Sequence, residues 1–149
     1  IEGTIPPLNE TAWQETFTKY QQFPEYQKIN KGMTLSEFKT IFFWEYLHRL
    51  LGRIIGLVFI IPFLLFWKKK WLDKKLKKQL IVLLLLGALQ GFLGWFMVQS
   101  GLVDVPAVSH FRLAIHLVTA FALIVYIYWI IMEVEQKEKF PRRKINNFV

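Results

Sequence analysis

The sequence predicts an all-α fold, a polytopic membrane bundle of three transmembrane helices with a short amphipathic helix on the outer side. Three observations carry that prediction. The 149 residues are 54% apolar and 17% aromatic, with a mean hydropathy of +0.31, which favours a membrane protein over a soluble core. Three apolar runs each reach the ~20 residues that cross a ~30 Å hydrocarbon slab. The net charge of +8 is clustered beside those runs and not spread over a surface.

The clusters orient the chain. Seven Lys and one Asp lie between Lys68 and Lys78, and five basic and three acidic residues follow from Glu133, whereas residues 1–39 hold four Lys and five Glu. Short basic loops stay inside, so residues 1–34 form an outer segment, 35–135 a three-helix transmembrane bundle, and 136–149 a basic inner tail. Neither cluster forms the basic stripe on a binding fold that nucleic acid requires, so lipid and not nucleic acid is the partner the charge implies. There is no cysteine, which excludes disulfides, thiolate metal sites and a Cys nucleophile. Metal chemistry falls to His48, His110 and His116. No targeting segment is visible, and an outer stretch of ~35 residues is hard to translocate alone. A helix ahead of Ile1 is therefore expected.

In the outer segment, Asn9 starts a short helix whose Trp13, Phe17 and Tyr20 share one face, and Pro24 ends it. That stripe suits the membrane interface, the outer mouth of a bundle, or plain packing on loops. Thr34-Leu35-Ser36-Glu37 is a capping box, so the first membrane helix begins near Leu35 and continues through Thr40–Trp67, with Pro62 a candidate kink. Trp67 and Trp71 flank the Lys-rich loop as interfacial anchors. The second helix runs from about Leu80 to Val98 without a charge. Its Gly87, Gln90, Gly91 and Gly94 share a stripe, and Gly87/Gly91, like Gly52/Gly56 on the first helix, form small-xxx-small pairs that predict close helix packing. Ser100–Val108, with Gly101 and Pro106, reads as an outer loop. The third helix covers roughly Ser109 to Met132, with Tyr126, Tyr128 and Trp129 at its inner interface.

The first helix carries Glu45, His48, Arg49 and Arg53 on one stripe, and the third carries Arg112, His116 and Thr119. Ionisable groups at membrane depth are expensive and point to function. His48 lies about eight residues inside its helix and His116 about seven, so at 1.5 Å per residue both imidazoles sit ~10–12 Å below the outer surface. Two histidines at one level can ligate a haem iron from both faces or bind another metal. They are also compatible with a proton relay or with hydrogen-bonded packing, and zinc usually needs a third protein ligand. Arg49, Arg53 and Arg112 suit haem propionates, or one of them balances Glu45. Glu45, one turn from His48, is a candidate proton acceptor or simple charge balance.

WEYLHRLLGR together with LQGFLGWFMVQSGLVDVPAVSHFRLAIHL resembles the haem A synthase family, in its mitochondrial and proteobacterial branch. GTIPPLNE and INKGMTLSEFKTIFFWEY are similar to that family's first outer loop. The resemblance covers nearly all of residues 3–121 and implies two four-helix halves in tandem. This chain then represents an N-terminal-half fragment with three of one half's four helices. The resemblance further implies an integral protein of the bacterial plasma membrane or mitochondrial inner membrane. Its activity would be the oxidation of a ring methyl of haem O to a formyl, giving haem A for cytochrome c oxidase. Residue by residue, it places axial haem ligands at His48 and His116 and a catalytic carboxylate at Glu45. Haem O is the expected substrate in this half, with haem b in the other. Haem O synthase, cytochrome oxidase assembly factors and a second copy of the chain are partners in view. His110 receives no ligand role, and the cysteine pair of the other bacterial branch is absent. The rival readings are a non-catalytic b-type-haem subunit for electron transfer and a proton-conducting or transport bundle.

Overall fold

The computed structural model describes residues 6–99 and 109–139. Five helices follow in order: α1 (Glu10–Tyr20), α2 (Pro24–Lys28), α3 (Leu35–Lys68), α4 (Lys74–Gln99) and α5 (His110–Lys139). The loop expected over Ser100–Val108 and most of the basic tail lie outside the described residues. Among those described, α3, α4 and α5 are long and apolar enough to cross a membrane. In each, only 6% of the most apolar window is buried inside the protein, so the remaining apolar surface needs lipid or further protein around it.

Local chemistry explains the helix starts. Asn9 Oδ1 accepts the Ala12 N–H at 2.8 Å, satisfying one of the donors that every helix start leaves open. At α3 the Thr34–Glu37 capping box is complete, with the Thr34 N–H donating to Glu37 Oε2 at 2.8 Å. Pro24 does not simply end a helix. It is the first residue of α2, with Phe23 extended before it, because a missing N–H costs nothing at that position. α4 begins at Lys74, earlier than the apolar run predicts. Asp73 Oδ1 accepts the Leu76 N–H at 2.7 Å, so the lysines after it are the charged first turns of the helix. α5 likewise continues past Met132 to Lys139.

The 34 residues of α3 extend about 51 Å, well beyond a ~30 Å slab. Its first turns project past the apolar stretch and carry the main buried cluster. Phe38 is fully buried (0% exposed) against Phe17 and Tyr20, with ring centroids at 5.2 and 4.9 Å, and Trp13 meets Phe42 edge-on at 5.0 Å. The stripe of α1 thus packs on the end of α3. Lys39 closes the seam on Glu10 at 2.9 Å, and Asn30 donates to the Tyr20 hydroxyl at 2.8 Å. Burial pushes the Tyr20 hydroxyl pKa up, and the Asn30 hydrogen bond opposes that rise.

α4 packs along α5 over its whole length and more sparingly on α3. Asp73 with Lys137, Gln79 with Glu133, Gln90 with Thr119 and Phe96 with Arg112 keep a single antiparallel register. Where the lysines lie, Glu133 accepts from Gln79 at 2.9 Å and pairs with Lys75 at 2.5 Å, while Asp73 pairs with Lys137 at 2.8 Å. Gln79, the one buried polar side chain among the described residues, is satisfied there.

Candidate functional site

The polar stripe of α3 holds its own ion pair. Glu45 and Arg49, one helical turn apart, form a half-buried salt bridge, so the charge balance weighed for Glu45 is supplied by Arg49. His48 and Arg53 are exposed on the same helix. Arg112, on α5, donates to the Phe96 carbonyl at 3.0 Å and lies 3.8 Å over that ring. It therefore staples α5 to α4 near the end opposite the lysines. His110 is exposed at the first turn of α5.

His116 turns into the α4–α5 seam. A Cβ built on Gly94 would stand 3.1 Å from His116 Cε1, so only a glycine leaves the imidazole its full space. Gln90 Nε2 lies 3.1 Å from His116 Nδ1 and donates to the His116 carbonyl at 2.9 Å. Thr119 in turn donates to Gln90 Oε1 at 2.7 Å. The other ring nitrogen, Nε2, has no hydrogen-bond partner among the described residues.

Residue counts from the α3–α4 turn give the distances along each helix. His48 stands 20 positions from Lys68, the last residue of α3, and Gly94 stands 20 positions from Lys74, the first of α4. At 1.5 Å per residue both lie about 30 Å from that turn. The His116 ring rests on Gly94 of the neighbouring helix.

The glycine stripes do not mark close packing. A Cβ at Gly52, Gly56, Gly87 or Gly91 meets nothing within 4 Å, so these faces look onto open space, contrary to the small-xxx-small expectation. The motif predicts approach only when a partner helix occupies that face, and among the described helices none does. Gly94 alone of the α4 stripe is filled, by a histidine. Sequence reasoning placed Gln90 and Thr119 on stripes without giving them a task. The available signal was Gln90 itself, an amide in an otherwise apolar helix, which has to find a partner.

No group of three or more His, Cys, Asp or Glu able to hold a metal ion occurs among the described residues. Two histidines do suffice for an iron already bound in a porphyrin, since the macrocycle supplies the other four ligands. His116 Nε2 without a hydrogen-bond partner among the described residues, an exposed His48 and uncovered glycine faces fit such a flat group.

These features define an integral membrane helical bundle with a histidine on the polar stripe of each of two spans. Residues 1–148 match the COX15-CtaA family, described as cytochrome oxidase assembly protein, and the chain belongs to that family. It is 55% identical over 141 residues to "Heme A synthase" of Flavobacterium psychrophilum, covering 93% of this chain and 42% of that protein. It is 56% identical over 133 residues to the protein of that name from Nitrosospira multiformis, covering 89% and 37%. Against the one from Paramagnetospirillum magneticum it is 48% identical over 149 residues, covering 100% and 42%. The chain thus spans about two-fifths of the length of these curated relatives. No solved structure matches.

Proposed function

We propose that this chain is the substrate-holding part of a haem A synthase, which oxidises a ring methyl of haem O to the formyl of haem A for cytochrome c oxidase. The observation that carries this reading is a chain matched almost end to end by proteins named for that activity, with His48 and His116 on two of its spanning helices. His48 and His116 bind the iron of the haem substrate, one from each face, and haem b occupies the remainder of the longer protein. Haem O synthase and oxidase assembly factors are the partners that would deliver and receive the haems.

Glu45 is one turn from His48 on the same face. Oxidising a C–H bond releases protons as well as electrons, so a carboxylate beside the ring is the group the chemistry needs. Arg49 neutralises that carboxylate when no proton is held, which keeps its charge tolerable at membrane depth. Arg53 and Arg112 face propionates or balance charge, Arg112 from its anchor on Phe96. The charge asymmetry supports residues 1–34 on the outer side and the Lys68–Lys78 turn inside.

The test is haem A output from cells whose sole copy of the full-length protein carries His48→Ala or His116→Ala. Loss of haem A with either variant is expected, and normal output from either rejects the ligand assignment. A wild-type protein that loads haem yet never yields the formyl product would instead be the non-catalytic electron-transfer subunit.

A further inference from the structure

Seven lysines lie between Lys68 and Lys78, and the fold divides them into two groups. Lys75 pairs with Glu133 at 2.5 Å, Lys69 lies 4.5 Å over the Trp71 ring and Lys77 lies 3.9 Å over the Trp67 ring. Lys68, Lys70, Lys74 and Lys78 are exposed, and their side chains have no hydrogen-bond, ion-pair or ring partner among the described residues. The carboxylates at this end of the α4–α5 seam are already taken, Asp73 by Lys137 and Glu133 by Lys75 and Gln79. These four cations are thus left without an anion.

Their placement is unfavourable in itself. Lys70 has a φ of +58°, in the left-handed region that only glycine enters without steric cost. A Schellman closure of α3 holds it there. The Trp71 N–H donates to the Phe66 carbonyl at 3.1 Å, the Lys70 N–H donates to the Trp67 carbonyl at 3.0 Å, and the Trp71 ring stacks on Phe66 at 5.6 Å, as that motif requires. Lys74 and Lys78 stand one turn apart on α4, a like-charge pair that opposes the helix. An anion shared among these side chains removes the repulsion.

The chemistry of that anion follows from what lies beside the lysines. Ile61, Leu64, Leu65 and Lys68 are exposed at i, i+3, i+4 and i+7 of α3, so one helical face runs from apolar to cationic. A soluble anion or an acidic peptide would use only the cationic end. A phospholipid uses both. Trp67 and Trp71, on either side of Lys68–Lys70, are residues that favour headgroup level, which brings the lysines within reach of lipid phosphate.

We propose that Lys68, Lys70, Lys74 and Lys78 form a surface that binds anionic phospholipid, with the phosphate among the lysines and an acyl chain along Ile61, Leu64 and Leu65. Lys69, Lys75 and Lys77 shape the turn and are not part of this surface. Nothing in the inference depends on the haem reading.

The test is native mass spectrometry of the detergent-solubilised full-length protein titrated with phosphatidylglycerol or phosphatidylcholine. A lysine beside an anionic lipid surface is worth about fivefold in affinity. Lys68→Gln, Lys70→Gln, Lys74→Gln and Lys78→Gln together should weaken phosphatidylglycerol binding by at least that factor and leave phosphatidylcholine unchanged. Lys19→Gln, Lys28→Gln, Lys31→Gln and Lys39→Gln together remove the same charge from the α1 end and should leave both unchanged. Equal weakening by the two sets would show a net-charge effect and overturn the surface, as would unchanged binding in the first set or wild-type binding of phosphatidylcholine as tight as that of phosphatidylglycerol. Inorganic phosphate at matched ionic strength should not displace the lipid, and displacement would make this a free-phosphate site instead. Lys70→Gly alone separates binding from folding. It should raise the lipid-free thermal midpoint, because glycine suits that φ, yet weaken phosphatidylglycerol binding, and wild-type binding in this variant would also overturn the proposal.

Discussion

The imidazole of His116 lies against the backbone of Gly94, so closely that a methyl group on that glycine would come within 3.1 Å of Cε1. The position of the ring is thus set by a missing side chain on α4 together with the Gln90 hydrogen bond. Gly94→Ala should displace the ring by a few tenths of an ångström and lower haem content severalfold. Gly94→Leu should abolish loading in this half. Haem-to-protein ratios of the purified full-length variants check this, and wild-type loading in Gly94→Leu would mean that the ring position is immaterial.

The Glu45–Arg49 pair separates structure from chemistry. Glu45→Gln should retain haem and slow formyl formation by about 10²–10⁴-fold, the usual contribution of a general base. Arg49→Leu leaves a half-buried carboxylate without its neighbouring cation, a change that costs up to about 3–5 kcal/mol when fully buried and less here. The exchange Glu45→Arg with Arg49→Glu should recover folded yield but not activity. Haem A output beside detergent-solubilised yield distinguishes the two effects.

At the lysine end, hydrogen bonding to Lys137, and then to the Leu76 N–H, holds the Asp73 carboxyl below the usual carboxylate range. A group with a lowered folded-state pKa stabilises the fold above its unfolded value and loses that contribution as pH falls through the folded value. The stability advantage of wild type over Asp73→Asn should be full near pH 7 and vanish well below about pH 4. The pair is exposed, so added salt should narrow the difference as well. Thermal melts of both proteins across pH provide the comparison.

Phe38 is the centre of the cluster that joins α1 to α3. Phe38→Ala should cost about 3–5 kcal/mol, as large core truncations do, with the loss confined to the end where α1 packs. Protease cleavage within Glu10–Lys28 should accelerate while α4 and α5 stay protected. Uniform loss of protection would show that the cluster supports the whole bundle.

Much of this fold is written locally, and those parts were legible in the sequence. Asn9, Thr34 and Glu37 announce helix starts because a cap is a contact between residues three apart, and the Glu45–Arg49 pair was open to view for the same reason. Pro24 is ambiguous in the sequence because proline both stops one helix and starts another. The lysines after Asp73 read as a loop because their charge masks the cap that precedes them. Nothing local says that Gln90 would choose His116 and Thr119, since the choice depends on the register of α4 against α5. The glycine stripes carried no information about whether their open faces would be filled. The polar stripes that carry His48 and His116 were legible from helical spacing alone.

In the proposed function, one porphyrin iron is held by His48 and His116 together. Electron paramagnetic resonance of the ferric full-length protein tests it most directly. One low-spin signal should disappear in His48→Gly and also in His116→Gly, and added imidazole should restore it in each. A full set of low-spin signals in either variant without imidazole would contradict the claim.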